Sequence, residues 1–147
     1  MGSASGGQRA RWSEVSGPKF RVLLDTHVWL WYLLGDAQLK IKHRDVIEQE
    51  TSELWLSPIS LWETHVLIEK RQIPVGDPPS VWIGRALSIL RVREAPITFA
   101  IEMRSRSLEL VHQDPADRFL AATAAEMKAP LLTSDERLQK GKGYVCL

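Results

Sequence analysis

The chain has 147 residues, of which 44% are apolar and 25% charged, and this composition fits one globular domain rather than a fibrous or disordered protein. Cys146 is the single cysteine, which excludes an intramolecular disulfide framework and a Cys/His zinc site of the usual kind. The net charge of +1 gives no global attraction for nucleic acid, so a polyanion would have to meet a local group of Lys and Arg side chains.

The first part of the chain differs in composition from the rest. Residues 1–19 are rich in Gly, Ser and charged residues and show no apolar period, which predicts a flexible N-terminal tail before a single domain at 20–147. This stretch lacks the apolar core of a signal peptide, and no run of apolar residues approaches the roughly 18 that a membrane-spanning helix needs. We therefore expect a cytoplasmic protein with no membrane partner.

Apolar runs and turn residues predict strands that alternate with helices. Strands are predicted at 20–24, 54–56, 91–94, 131–133 and 144–146. Helices are predicted at 26–34, about 39–51, about 59–70, 81–90, 97–110, 114–128 and in a short stretch from about 134. This order predicts an α/β protein with a mainly parallel central sheet and helices on both faces.

Acidic residues stand where such a sheet gathers its functional sites. Asp25 follows the first predicted strand directly, and Asp135 follows strand 131–133, so both belong to the carboxyl edge of the sheet. Glu63 lies within the apolar stripe of a predicted helix. A carboxylate in that position needs either a basic partner or a metal ion, because unpaired burial of a charge costs too much free energy.

Each acid also has a purely structural explanation. Asp25 is a good N-cap for the helix beside it, and Asp114 is a good N-cap for a helix with Asp117 in its first turn. If Thr133 caps the last helix, Asp135 is merely well placed near the positive end of the helix dipole. Taken one at a time, these acids leave both interpretations open.

The acids considered together favour a metal site. Two carboxylates about 4 Å apart repel by about 4 kcal/mol at an effective dielectric of 20, so a cluster needs cations or raised pKa values. Mg²⁺ or Mn²⁺ would relieve this repulsion, because hard cations bind carboxylate oxygens and keep water molecules, one of which can act as a nucleophile. Such a site suits phosphodiester hydrolysis.

Four motifs carry a family resemblance: LLDTHVWLW, SPISLWETHVL, HQDPADRFLAATAAE and LLTSDERL. Across 20–147 the chain resembles the PIN-domain family, specifically the VapC-type toxins of bacterial toxin–antitoxin pairs, which are metal-dependent ribonucleases. The resemblance implies a PIN-like three-layer α/β/α fold and a catalytic set formed by Asp25, Glu63, Asp117 and Asp135.

The resemblance also implies how a metal is held. Asp25 and Asp117 are the expected direct ligands of Mg²⁺ or Mn²⁺, while Glu63, Asp135 and Asp114 are further candidates. Asp114 either assists or only caps its helix.

Polar neighbours of these acids are candidates for supporting roles. Thr26, Thr133 and Ser134 would either orient the acids or a bound water, or serve as plain N-caps. Arg118 would either contact a substrate phosphate or pair with an acid of the cluster.

The resemblance further implies an RNA substrate, with tRNA among the candidates, a cognate antitoxin that covers the site, and a homodimer. Two alternatives remain open at this stage. One is a PIN-like module that binds RNA or protein without cutting, and the other is a metal-dependent phosphoesterase that acts on DNA.

Other aromatic and basic residues carry weaker signals. The tryptophans of the apolar helical patterns are interpreted as core or interface residues rather than base-stacking platforms: Trp29, Trp31, Trp62 and Trp82. Arg137 and other basic residues in the second half of the chain are interpreted mainly as solvated surface, with steering of RNA as the alternative.

Overall fold

The computed structural model describes residues 19–111 and 113–147, and the predicted tail therefore lies outside the described residues except for Lys19. The described strands are β1 (Phe20–Leu24), β2 (Ser52–Leu56), β3 (Arg93–Glu94) and β4 (Leu131–Leu132). The described helices are α1 (Thr26–Leu34), α2 (Ile41–Glu48), α3 (Pro58–Glu69), α4 (Pro79–Ile89), α5 (Phe99–Ser107), α6 (Pro115–Met127) and α7 (Glu136–Gln139).

The four strands form one parallel sheet in the order β3-β2-β1-β4, which confirms the predicted parallel arrangement. β1 is central, and it pairs with β2 through Val22 and Leu54 and with β4 through Leu24 and Leu132. Because Leu24 and Leu132 are in register at the carboxyl edge, the residues that follow them emerge side by side.

Helices cover both faces of the sheet, as the three-layer prediction requires. Val22 and Leu24 alternate with Leu23 along β1, so successive side chains enter different cores. The first core packs β1 and β2 against α1, α2 and α4, and the second packs β1 and β4 against α6 and α7. Trp29, at the centre of the first core, is fully buried and meets Trp82 edge to face at 6.2 Å.

Proline and hydroxyl residues set the starts of several helices. Pro58, Pro79 and Pro115 each occupy the first turn of a helix, where the missing N–H costs no intrahelical hydrogen bond. Ser57 caps α3 by accepting a hydrogen bond from the Ile59 amide at 3.1 Å. Local sequence therefore fixes where α3, α4 and α6 begin.

The helix predicted at 97–110 is shorter than expected. Thr98 caps its first turn, so α5 begins at the next residue. It ends at Ser107 because main-chain carbonyls beyond this point accept hydrogen bonds from the side chain of Arg118. A tertiary contact therefore ends the helix.

The strand predicted at 144–146 is reduced to a single parallel bridge between Leu131 and Cys146. β4 itself has two residues rather than three, so little edge is presented for pairing. Among the described residues, no helix combines the length and the apolar character that crossing a membrane requires.

Candidate functional site

A cleft of about 320 Å³ lies at the carboxyl edge of the sheet. Its lining contains five acids together with aromatic, hydroxyl and basic side chains: Asp25, His27, Trp31, Glu63, Asp114, Asp117, Ser134, Asp135 and Arg137. The structure thus brings together every acid singled out by the sequence, although they come from four separate segments of the chain.

Asp25 occupies the N-cap position of α1, but its side chain makes no capping hydrogen bond. The carboxyl is only 6% exposed, and its Oδ2 accepts a hydrogen bond from Thr133 Oγ1 at 2.7 Å. Burial raises the pKa of Asp25 despite this hydrogen bond. Helix capping therefore does not account for this acid.

Glu63 reaches the cleft from the middle of α3 and is half-buried, as its apolar stripe predicts. The hydroxyl of Thr26 donates to Glu63 Oε1 at 2.5 Å and lies 2.8 Å from Ser60 Oγ. Burial raises the pKa of Glu63, and the negative charges of Asp25 and Asp114 raise it further. Thr26 thus holds one carboxylate oxygen from the first turn of the neighbouring helix.

Asp117 carries the clearest electrostatic signature of the cleft. Burial, followed by the charges of Asp25, Asp114, Asp135 and Glu63, raises its pKa to about 7. Four acids are therefore close enough to Asp117 to disfavour its ionisation. A bound cation would reverse this effect by favouring the ionised form.

Asp114 is the N-cap of α6, since its Oδ1 accepts a hydrogen bond from the Asp117 amide at 3.2 Å. The structural interpretation of Asp114 is thus present in the fold. It also lines the cleft, so a capping role and a place beside the other acids coexist.

Asp135, and not Thr133, is the N-cap of α7. Its Oδ1 accepts hydrogen bonds from the amides of Arg137 at 2.8 Å and Leu138 at 3.4 Å. Burial opposes ionisation, but these two amides and the charge of Arg137 outweigh it and lower the pKa of Asp135. Thr133, for which capping and support of the acids were both open, does not cap α7; its hydroxyl donates to Asp25 and accepts from the Asp135 amide at 3.0 Å.

Arg118 is placed differently from both sequence-based interpretations. Its guanidinium is buried and donates to the carbonyls of Ser105, Leu108 and Leu110 at 2.7–3.1 Å. The side chain does not line the acidic cleft. Through these contacts Arg118 links α6 to α5 and to the segment after α5. Its contacts are therefore structural, and they differ from the predicted contact with a phosphate or with an acid.

Sequence reasoning missed some members of the cleft. His27 and Trp31 share one face of α1, four residues apart, with ring centroids 5.8 Å apart. The four-residue spacing between His27 and Trp31, in the helix that directly follows Asp25, is the signal that could have placed them on one face near the acids. Trp62, interpreted as a core or interface residue, is 60% exposed and lies outside both cores.

A larger cavity of about 570 Å³ lies at the opposite end of β1 and β4, near Phe20 and Pro130. Its lining is almost entirely apolar and includes none of the five acids. Size alone therefore does not mark the chemical site, whereas the carboxyl side chains do.

The acidic cleft fits a hard divalent cation of the kind that keeps much of its water. Within 19–111 and 113–147, no group of three or more Asp, Glu, His or Cys side chains is arranged so that together they could hold a metal ion. Mg²⁺ does not require one, because it is typically bound through one or two carboxylates and several waters. Ser134 Oγ is buried at the cleft without a hydrogen-bond partner among the described residues, which fits a hydrated ion nearby.

Comparison with known proteins decides the family. Residues 22–143 match the PIN domain. The chain belongs to the PIN-domain family. This PIN domain is also 33% identical over 119 residues to Ribonuclease VapC22 of Mycobacterium tuberculosis, covering 80% of this chain and 89% of the relative. It is thus a homologue of VapC-type ribonucleases.

Solved structures show the same fold at lower identity. One is the structure of VapBC2 from Rickettsia felis bound to a DNA fragment from the VapBC2 promoter. It matches with a TM-score of 0.68 and 14% identity, over 87% of this chain and 98% of that chain. VapBC-5 from Mycobacterium tuberculosis, of the VapBC family of toxin–antitoxin systems, matches with a TM-score of 0.59 and 18% identity over 86% and 97%.

Proposed function

We propose that the protein is an endoribonuclease toxin that hydrolyses RNA phosphodiester bonds in the acidic cleft with Mg²⁺ or Mn²⁺. The observation that carries this proposal is the convergence of five acids, with the pKa of Asp117 raised to about 7 by burial and by the four others. Similarity to Ribonuclease VapC22 supports RNA as the substrate, with tRNA among the candidates.

Asp25 and Asp117 would be the direct metal ligands, with Glu63, Asp135 and Asp114 completing the negative wall of the cleft. When bound, the metal lowers the pKa of a water molecule and stabilises negative charge on the phosphate. The remaining steps fall to the residues of the chain, which hold the acids in place and receive the substrate.

Hydroxyl groups and main-chain amides position these carboxylates. Thr133 fixes Asp25 through one oxygen and leaves the other available, while Thr26 does the same for Glu63. The Glu63 carboxyl is only half-buried and has a raised pKa, which suits it to accept a proton from the attacking water. Ser134 is a further candidate for orienting that water.

A basic side chain at the mouth of the cleft would meet the substrate. Arg137 lines the cleft and its side chain is 62% exposed, with its Nη2 3.6 Å from Asp135 Oδ2. A phosphate would offset the exposed charge and gain hydrogen bonds from the guanidinium. Arg137, rather than Arg118, is thus our candidate for contact with the RNA backbone.

We further propose a cognate antitoxin that blocks the cleft, a homodimeric state and a cytoplasmic location. The VapBC-5 structure, from a toxin–antitoxin family, supports the antitoxin. The homodimer and the location rest on the family resemblance and are checked by light scattering and by cell fractionation.

The test is cleavage of a mixed tRNA and structured-RNA pool by purified protein in Mg²⁺, in Mn²⁺ or in EDTA. Asp117→Asn removes a proposed ligand at nearly constant shape, and Asp45→Asn, exposed on α2, makes the same change away from the cleft. We expect metal-dependent cutting by wild type and Asp45→Asn and none by Asp117→Asn. Folded, antitoxin-free protein that cuts nothing would refute the nuclease, and cutting of DNA alone would favour the phosphoesterase.

A further inference from the structure

A second cavity adjoins the acidic cleft on the α3 side. It measures about 370 Å³, and its lining is mainly apolar: Ile59, Trp62, Glu63, Asp114, Pro115 and Ala116. Glu63 and Asp114 line both spaces, so the cavity and the acidic cleft share a wall of carboxylates. A ligand that reaches from one to the other passes these two acids.

Trp62 is the main aromatic surface of this cavity. It directly precedes Glu63 on α3 and is 60% exposed, and it belongs to neither core cluster of the described residues. An exposed indole gains free energy when a flat apolar group covers it, and stacking on a nucleobase provides such cover. Packing of the fold does not explain why the ring points to solvent beside the acids.

The chemistry of the cavity selects which part of a nucleotide it would hold. A phosphate is disfavoured because Glu63 and Asp114 form one wall, whereas Asp25 and Asp117, which would hold a neutralising cation, line only the acidic cleft. A base is favoured, since Ile59 and Pro115 offer apolar contact around the indole. In a nucleotide chain, one ribose joins a base to the neighbouring phosphate. The two spaces are adjacent in the same way, so a base in the apolar cavity would leave its phosphate in the acidic cleft.

We propose that the Trp62 cavity stacks the base next to the scissile phosphate and so forms a base-binding subsite beside the acids. This inference rests on the proposed function and adds a residue that selects the nucleotide at the same site. A base inside a duplex is already stacked on its neighbours and cannot enter the cavity without being extruded. Trp62 is then a specificity-determining residue, whereas the acids carry out the hydrolysis.

Binding tests the inference independently of cleavage. The probe is a short fluorescein-labelled RNA of mixed sequence, single-stranded or annealed to its complement, and its affinity for the uncleaving Asp117→Asn protein is measured by anisotropy. Adding Trp62→Ala is expected to weaken single-strand binding about 5- to 150-fold, the range for loss of one stacked base. Duplex binding should not change, and Trp62→Phe should retain most of the affinity.

Phe99→Ala is the matched control, since Phe99 is 89% exposed on α5 and lines neither cavity. Single-strand affinity that survives Trp62→Ala, or that falls equally with Phe99→Ala, would overturn the inference. So would a Trp62→Ala protein that binds RNA normally but escapes inhibition by its antitoxin, because the cavity would then belong to the protein partner. Circular dichroism checks that each variant is folded.

A cleavage arm separates this inference from the proposed function. In an RNA that the wild type cuts, an abasic site beside the cut should slow cleavage, and Trp62→Ala should then cause no further loss. Full additivity of the two losses would count against stacking. If RNA binding depends on Trp62 but no metal-dependent cleavage occurs, the proposed nuclease is refuted and the base-binding site is retained. If cleavage occurs and is unchanged by Trp62→Ala, the base-binding site is refuted and the nuclease is retained.

Discussion

Replacing Asp117 with Asn is expected to stabilise the protein when no metal is present. In wild type, burial and four neighbouring acids raise the pKa of Asp117 from 3.8 to about 7. At 1.36 kcal/mol per pKa unit, this difference corresponds to roughly 4 kcal/mol of unfavourable free energy in the ionised state. Asp117 is partly open to solvent, so screening reduces the expected gain to about 1–2 kcal/mol.

The sign of the effect fixes its pH dependence. The folded protein binds the Asp117 proton more tightly than the unfolded chain does, so this group contributes stability below pH 3.8 that is lost as the pH rises through about 7. The Asn side chain does not ionise, so Asp117→Asn does not lose stability in this way as the pH rises. In EDTA the free energy of unfolding of the variant should therefore rise relative to that of wild type as the pH increases from acid to neutral. At about pH 8 the Tm of the variant should be higher by roughly 3–8 °C.

Thermal unfolding followed by circular dichroism measures this gain, with Asp45→Asn as the control for a surface Asp. Saturating Mg²⁺ should shrink or reverse the advantage, because wild type gains about 2.7 kcal/mol at a ligand concentration of 100 times Kd. An Asp117→Asn protein that is less stable than wild type in EDTA at alkaline pH would refute the argument from repulsion.

Three further substitutions distinguish residues that position the acids, Thr26 and Thr133, from Arg118, which stabilises the fold. Thr26→Val removes the hydroxyl that holds Glu63 and should lower kcat about 10- to 100-fold in the RNA cleavage assay, with little change in Mg²⁺ affinity. Thr133→Val removes a hydrogen bond that favours ionised Asp25, so the acid limb of the pH–rate profile should move to higher pH; an unmoved limb would contradict this. Arg118→Ala leaves three main-chain carbonyls without their donor and should cost about 3 kcal/mol in urea unfolding, and a stabilisation by Mg²⁺ larger than that of wild type would instead place Arg118 among the acids.

The parallel sheet could be predicted because its information is local. β1 and β4 carry short buried apolar runs at 22–24 and 131–132, and the helices after β2 and β4 begin where Ser57 with Pro58, and Asp135, set their first turns. Placement of Asp25 at the carboxyl edge followed from that order alone. The sequence order did not by itself place Glu63 and Asp117 beside Asp25, because their positions depend on how α3 and α6 pack.

Elements set by distant contacts could not be predicted. Arg118 ends α5 by donating to the carbonyls of Leu108 and Leu110, which lie 10 and 8 residues before it in the chain. Local sequence left a capping role open for Thr133 because it reveals neither that its hydroxyl donates to Asp25, 108 residues away, nor that α7 begins only after Asp135. The sequence could not decide between a core and an interface position for Trp62 for a similar reason, because an apolar stripe on a helix does not say which part of the stripe the next helix leaves uncovered.

The most direct test of the central claim joins metal binding to cleavage in one titration. Mn²⁺ occupancy is followed by electron paramagnetic resonance while the rate of RNA cleavage is recorded in the same samples of wild type, Asp117→Asn and Asp45→Asn. The rate should rise in step with occupancy in wild type and Asp45→Asn, and both signals should be lost in Asp117→Asn. Cleavage that persists in EDTA, or that survives in Asp117→Asn, would contradict a catalytic metal held by the acidic cleft.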